Sequence, residues 1–272
     1  MKIAVAIATA DAAPSAFVVF RGIEESIEKA AKLGYDGVEL ALKNKEQVDV
    51  KTVKKLIDAY GLTIPTISTG QVFADLGLYF TAKDPKMQAQ IVDVIKGLIE
   101  TAAEVGAGLV NIGRCRGFIE PGDSYEETEK RFIDVVQRML GEAEAHNVSI
   151  ILEPVNRYEI NYINTQAEGA ALVRKVNHPR FGLMPDVFHM NIEDPSISGT
   201  LARFIDITPY IHFADSNRLA PGWGHLNFMD IIDTLRAVGY DGWTSVEILP
   251  KPDPDSAAKQ AIDYLRMFIP KA

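Results

Sequence analysis

Four side chains able to hold a metal or move a proton, Glu153, Asp186, His212 and Glu247, each close a short apolar run: SIILEP, FGLMPD, YIHFAD and WTSVEI. They follow one another at intervals of 33, 26 and 35 residues. That is the rhythm of consecutive strand–helix units in which each strand delivers one polar residue to a common rim. Three carboxylates and an imidazole meeting there form an oxygen-rich set suited to one divalent cation. Singly, each has a plainer reading. Glu153 could be a surface charge, although three branched aliphatics precede it and an unpaired carboxylate is costly to bury. Asp186 could cap a helix, and His212 could be a satisfied core histidine. Glu247 has apolar neighbours on both sides. Jointly they favour the metal reading, because buried carboxylates repel one another unless a cation sits among them.

Around the quartet stand candidates for substrate contact. Glu159 closes EPVNRYE, His189 lies in DVFH and Arg218 in HFADSNR, all just past strand ends, where a barrel keeps its ligand contacts. Arg114 and Arg116 of GRCRG stand at the same level after the fourth strand and would meet an anionic group. Gln71 and Trp223 complete the set.

The elements that must position these residues are legible as eight strand-like runs, at 2–7, 37–42, 63–68, 109–114, 149–154, 182–187, 210–215 and 244–249. Helical patterns separate most of them. IEESIEKAAKLGY puts Ile23, Ile27, Ala30 and Leu33 on one face before Gly34 stops it. VDVKTVKKLIDAYGL stops likewise at Gly61, and a longer helix shows Ile91, Ile95, Leu98 and Ala102. No composition break or linker interrupts the series. We therefore expect an α/β fold, a single (β/α)8 TIM barrel over one domain, residues 1–272. An open doubly wound sheet is the rival, but no GxGxxG or Walker pattern follows the first run. The 272 residues suit one such barrel.

A net charge of −9 argues against a nucleic-acid or anionic-membrane partner. The single cysteine excludes an intrachain disulfide and fits a reducing, cytoplasmic setting. MKIAVAIATADAAPSA has features of a signal peptide, but its apolar run is short and an aspartate follows at once. We read it as the first barrel strand.

EPVNRYE, DVFHMN, HFADSNR and VEIL resemble the motifs of xylose-isomerase-like TIM barrels, and specifically their ketose 3-epimerase branch, typified by D-tagatose and D-psicose 3-epimerases. TGQ, GRCRG and DVFHMNIED add a likeness to 5-keto-L-gluconate epimerases. The resemblance spans nearly the whole chain and is densest between 150 and 250. It implies that Glu153, Asp186, His212 and Glu247 bind one divalent ion, Mn2+ with Mg2+ or Co2+ as alternatives. It implies that Glu153 and Glu247 are the acid–base pair, and that Glu159, His189 and Arg218 hold substrate oxygens. Dimers or tetramers are the implied assembly.

The chemistry fits the residue types. A proton beside a ketone is too weakly acidic for an unaided carboxylate, and a metal on the carbonyl spreads the charge of the enediolate. Two carboxylates on opposite faces can then remove the proton and return it on the other side. The loop after the eighth strand lacks the glycine-rich phosphate cup of phosphosugar barrels, which favours a free sugar or sugar acid over a sugar phosphate; the resemblance implies 5-keto-L-gluconate or D-tagaturonate as examples. Arg116 is then the expected carboxylate contact. An aldose–ketose isomerase and an inosose dehydratase share the scaffold and the first step. A metal-dependent endonuclease of the same barrel would need more histidines and a basic surface. A non-catalytic sugar-binding barrel would have no use for the paired carboxylates.

Overall fold

The computed structural model describes residues 1–14 and 16–271. In chain order the elements are β1 (Lys2–Ala8), β2 (Phe20–Arg21), α1 (Ile23–Leu33), β3 (Gly37–Ala41), α2 (Val50–Tyr60), β4 (Thr66–Ser68), α3 (Gly70–Leu76), α4 (Pro85–Val105), β5 (Leu109–Ile112) and α5 (Tyr125–Ala145). There follow β6 (Ser149–Leu152), α6 (Gln166–Val176), β7 (Phe181–Leu183), α7 (Val187–Glu193), α8 (Ile197–Phe204), β8 (Tyr210–Phe213), α9 (Phe228–Ala237), β9 (Trp243–Val246) and α10 (Pro254–Arg266).

All pairings are parallel, in the order β7-β6-β5-β4-β3-β1-β9-β8, with the two-residue β2 beside β1. The eight main strands form a nearly closed barrel with helices between them, a (β/α)8 TIM barrel. The first and last strands are zipped together from Lys2↔Trp243 to Val5↔Val246. The two ends of the path are β7 and β8, neighbours in the chain. One bridge joins them, Asp186↔His212, with the His212 amide donating to the Pro185 carbonyl at 2.8 Å.

Each of the eight expected runs holds a strand, most of them shorter than the run, and β4 and β7 are the shortest at three residues each. β4 begins only at Thr66, just after Pro65, and β7 stops at Leu183, two residues before Pro185. Proline has no N–H for a ladder. The helices bury the faces their periodicity assigns. Ile27 and Ala30 of α1 and Ile91, Ile95, Leu98 and Ala102 of α4 are inaccessible to solvent, while Leu33 is only partly covered. Three helices were not expected: α3, on the TGQ segment, α7, which opens on Asp186 itself, and α8 after it. Among the described residues no helix is long and apolar enough to cross a membrane.

Candidate active site

At the C-terminal ends of the strands, one ligand atom from each of Glu153, Asp186, His212 and Glu247 lies within 4.8 Å of the others. Glu153 follows β6, His212 is within β8 and Glu247 follows β9. Asp186 has two tasks. Its Oδ1 accepts from the Phe188 amide at 2.8 Å and caps α7, so the helix-cap reading was correct. Its Oδ2 stays turned toward the quartet, 3.8 Å from His212 Nδ1.

The histidine ring is held from behind. Its Nε2 lies 3.0 and 3.1 Å from the carboxylate oxygens of Glu39, a fully buried residue of β3 that also accepts from the Tyr210 hydroxyl at 2.9 Å. Nδ1 therefore points the other way, 3.5 to 3.8 Å from oxygens of Glu247, Glu153 and Asp186, with no hydrogen-bond partner. An orphaned buried nitrogen facing three carboxylate oxygens fits a divalent cation. The sequence reading passed over Glu39. Its signal was present, a carboxylate within the apolar run GVELAL, the same signature that marks Glu247.

Electrostatics here reflect crowding of like charge. Burial pushes the Asp186 carboxyl up to about 6, with Glu153 adding to it and Arg218 opposing. Burial disfavours protonated His212, yet Glu39 and Glu247 overcome this and hold the imidazole well above its usual range. Glu153 ends below the ordinary carboxylate range: burial opposes ionisation, but the His212 contact and charge outweigh it. Its Oε2 also accepts from Asn111 Nδ2 at 3.1 Å. A Cβ on Gly113 would stand 2.7 Å from that same Oε2, so the glycine leaves room for the carboxylate.

Arg218 closes one side. It donates to Asp186 Oδ2 at 2.5 Å and to Glu247, and its guanidinium is sandwiched between the rings of Phe17 and Phe188, 4.9 and 4.8 Å from their centroids. Its backbone is left-handed, with φ of 61°, uncommon for a residue with a Cβ. Main-chain bonds lock it there, from its amide to the Asp215 carbonyl and from the Leu249 amide to its own carbonyl. The Asp215 carboxylate gathers the surrounding loop by accepting from the amides of Ser216, Gly222 and Leu226.

His189 lies on α7, buried, with Nδ1 accepting from Asn156 Nδ2 at 2.8 Å and Nε2 facing Glu153 and Asp186 at 3.9 Å. Burial and the Arg218 charge keep it neutral over the ordinary pH range, so its Nε2–H is a neutral donor into the pocket. Glu159 accepts from the same Asn156 at 3.0 Å, and burial raises its carboxyl above the usual range despite Arg218 and Arg114. Both residues line the pocket, with Gln71, Asn111 and Arg114.

Arg116 does not. It is wholly buried and directed away, donating to the main-chain carbonyls of Gly113, Glu153, Tyr162 and Ile163 at 2.7–3.0 Å. Four of its five N–H groups are thus committed to tying the β5 and β6 loops together, and the expectation of a substrate carboxylate there is corrected. Trp223 is likewise outside the pocket lining.

Comparisons with known proteins give the class to which this barrel and rim belong. Residues 27–268 match the family model described as xylose isomerase-like TIM barrel. The chain belongs to the xylose isomerase-like TIM barrel family. An L-ribulose 3-epimerase of Methylomonas sp. (strain DH-1) is 30% identical over 226 residues, 81% of this chain and 76% of that protein. A 3-dehydro-D-guloside 4-epimerase of Escherichia coli (strain K12) is 26% identical over 252 residues, 90% of this chain and 94% of its own. The crystal structure of a D-allulose 3-epimerase from Methylomonas sp. in complex with D-allulose superposes with a TM-score of 0.82 at 25% identity, covering 98% of this chain and 97% of the other. The protein is a sugar epimerase or isomerase.

Proposed function

We propose that the protein epimerises a free ketose or keto sugar acid, such as 5-keto-L-gluconate to D-tagaturonate, with Glu153 and Glu247 as the acid–base pair. The observation that carries this reading is the pair itself: two carboxylates delivered by β6 and β9, with β7 and β8 between them on the rim, converging within 4.8 Å on one unpartnered histidine nitrogen. Glu153, Asp186, His212 and Glu247 would hold one divalent ion, Mn2+ by preference and Mg2+ or Co2+ as substitutes. Bound there, the ion supplies Lewis acidity that lowers the pKa of the carbon acid.

The protein groups do the rest. One glutamate takes the proton from the carbon beside the ketone, and the other, protonated, returns one to the opposite face. The carbon keeps its oxidation state and the two carboxyl groups exchange roles. Asn111 fixes Glu153, and Arg218 fixes Glu247. His189 and Arg218 direct donors toward substrate oxygens, and Glu159 accepts from a hydroxyl. The same reading takes residues 1–272 as one domain and, by family likeness, a dimer or tetramer as the assembly.

The test is proton exchange. Manganese-loaded protein in D2O with D-tagatose, 5-keto-L-gluconate or D-tagaturonate should place deuterium on a carbon adjacent to the ketone while the epimer accumulates, both followed by NMR. Glu247→Gln should slow this by roughly 100-fold or more. An aldose product with label at C1 or C2 would make the protein an isomerase, and no exchange with any substrate would refute the proposal.

A further inference from the structure

We infer that Arg114 is the anion-selecting residue of this pocket, which makes the preferred substrate a polyhydroxylated keto acid rather than a neutral ketose. The inference rests on the proposed function and goes further in naming the group that separates the two substrate classes.

Two kinds of observation carry it. The first is unmet acceptors. Gln71 and Asn111 are each 2% exposed and both line the pocket. Their amide nitrogens are occupied, Gln71 Nε2 by the Ala41 carbonyl at 2.8 Å and Asn111 Nδ2 by Glu153 at 3.1 Å. The oxygens of both have no donor. Buried acceptors left bare are costly, and a hydroxylated ligand supplies the missing donors.

The second is an uncommitted cation. Arg114 is half-buried in the pocket wall, its guanidinium 5.8 Å from the Phe73 ring centroid, and among the described residues its side chain forms neither a hydrogen bond nor an ion pair. The other charges of the pocket are answered. Arg218 is bound to Asp186 and Glu247, and Asp75 pairs with Lys43 at 3.2 Å. Glu159 accepts from Asn156, and its carboxyl is raised rather than lowered, so it is not a firm partner for Arg114. A planar fork of free N–H donors is matched by a carboxylate. One guanidinium with Asp75 in the same wall suits a single negative charge better than the double charge of a phosphate.

The test compares manganese-loaded wild type, Arg114→Gln and Arg114→Lys. Substrates are 5-keto-L-gluconate, D-tagatose and D-tagatose 6-phosphate. Wild type should favour the acid in kcat/KM, and in Arg114→Gln the acid-to-ketose ratio should fall roughly 10- to 100-fold, the worth of a charge-assisted hydrogen bond. Arg114→Lys should keep part of the preference, showing that charge and not folding is being read. An unchanged ratio in Arg114→Gln, or a wild-type preference for the neutral ketose or the phosphate, overturns the inference and leaves the epimerase reading intact. Calorimetry with the unreactive pair D-galactonate and galactitol reads the subsite without turnover. Wild type should bind the aldonate tighter and Arg114→Gln should lose that difference. If exchange chemistry fails on every substrate but this preference appears and follows Arg114, the epimerase reading falls and the anion subsite stands.

Discussion

Consider the substitution of Glu39 by glutamine. The residue is inaccessible to solvent and accepts from His212 Nε2 at 3.0 and 3.1 Å and from the Tyr210 hydroxyl at 2.9 Å. Glutamine has the same shape. Its carbonyl oxygen can still face the imidazole, and the Tyr210 hydroxyl can rotate to accept from the new amide, so the bonds survive while the charge is lost. A hydrogen bond to a charged group exceeds a neutral one by about 1 kcal/mol. With the loss of ligand basicity, metal affinity should fall roughly 10- to 100-fold. Free Mn2+ measured by electron paramagnetic resonance during titration gives the dissociation constant without reference to turnover. Tyr210→Phe keeps the charge and removes only the hydroxyl, so it should weaken Mn2+ by much less. A Glu39→Gln protein that folds normally and binds Mn2+ within about threefold of wild type would refute the reasoning, since an outer carboxylate on a metal-binding histidine should cost at least tenfold.

Two further outcomes follow from side chains away from the rim. Arg116→Met should destabilise the fold by about 3–5 kcal/mol in urea unfolding, because four buried carbonyls lose their donor at once. Lost activity with unchanged stability would instead return Arg116 to the pocket. The second concerns Glu193 of α7, which accepts from the amide and side chain of Arg157 and so ties the loop after β6 to α7. Burial acts to raise its carboxyl, but the Arg157 bonds and charge outweigh it and leave it below the ordinary carboxylate range. A value lowered by folding contributes stability that is complete above the unfolded value and lost as pH falls through the folded one. Thermal melts of Glu193→Gln and wild type should therefore differ at neutral pH, and the difference should shrink as pH falls through and below the ordinary carboxylate range. A constant gap down to pH 3 would refute the ion pair's part in it.

The strands were legible because a parallel barrel buries both faces of its sheet, which turns each strand into an uninterrupted apolar run. The quartet was legible for the same reason, since a charge at the end of such a run is conspicuous. Glu39 carried an equal signal, but it faces the ring of His212 across the barrel, with β1 and β9 between their strands, and has no rim motif around it. Arg116 could not be told from Arg114 by composition. Both follow β5 in GRCRG, and the main-chain carbonyls that claim one of them come from 162 and 163, far along the chain. α3, α7 and α8 were missed because seven or eight residues are too few to establish a helical period.

The single bridge between β7 and β8 has a mechanical consequence. The sheet is a split ring in which β1 and β9 are welded by four paired residues, while its slit lies between consecutive strands. Asp186 and His212 face each other across that slit. An ion held by both would act as a clasp, resisting any widening of the ring. Occupancy of the rim would then stiffen the scaffold itself, adding stability that grows with ion concentration. Stripping the ion should loosen the barrel first along this slit, and less where β1 is fully paired with β3 and β9.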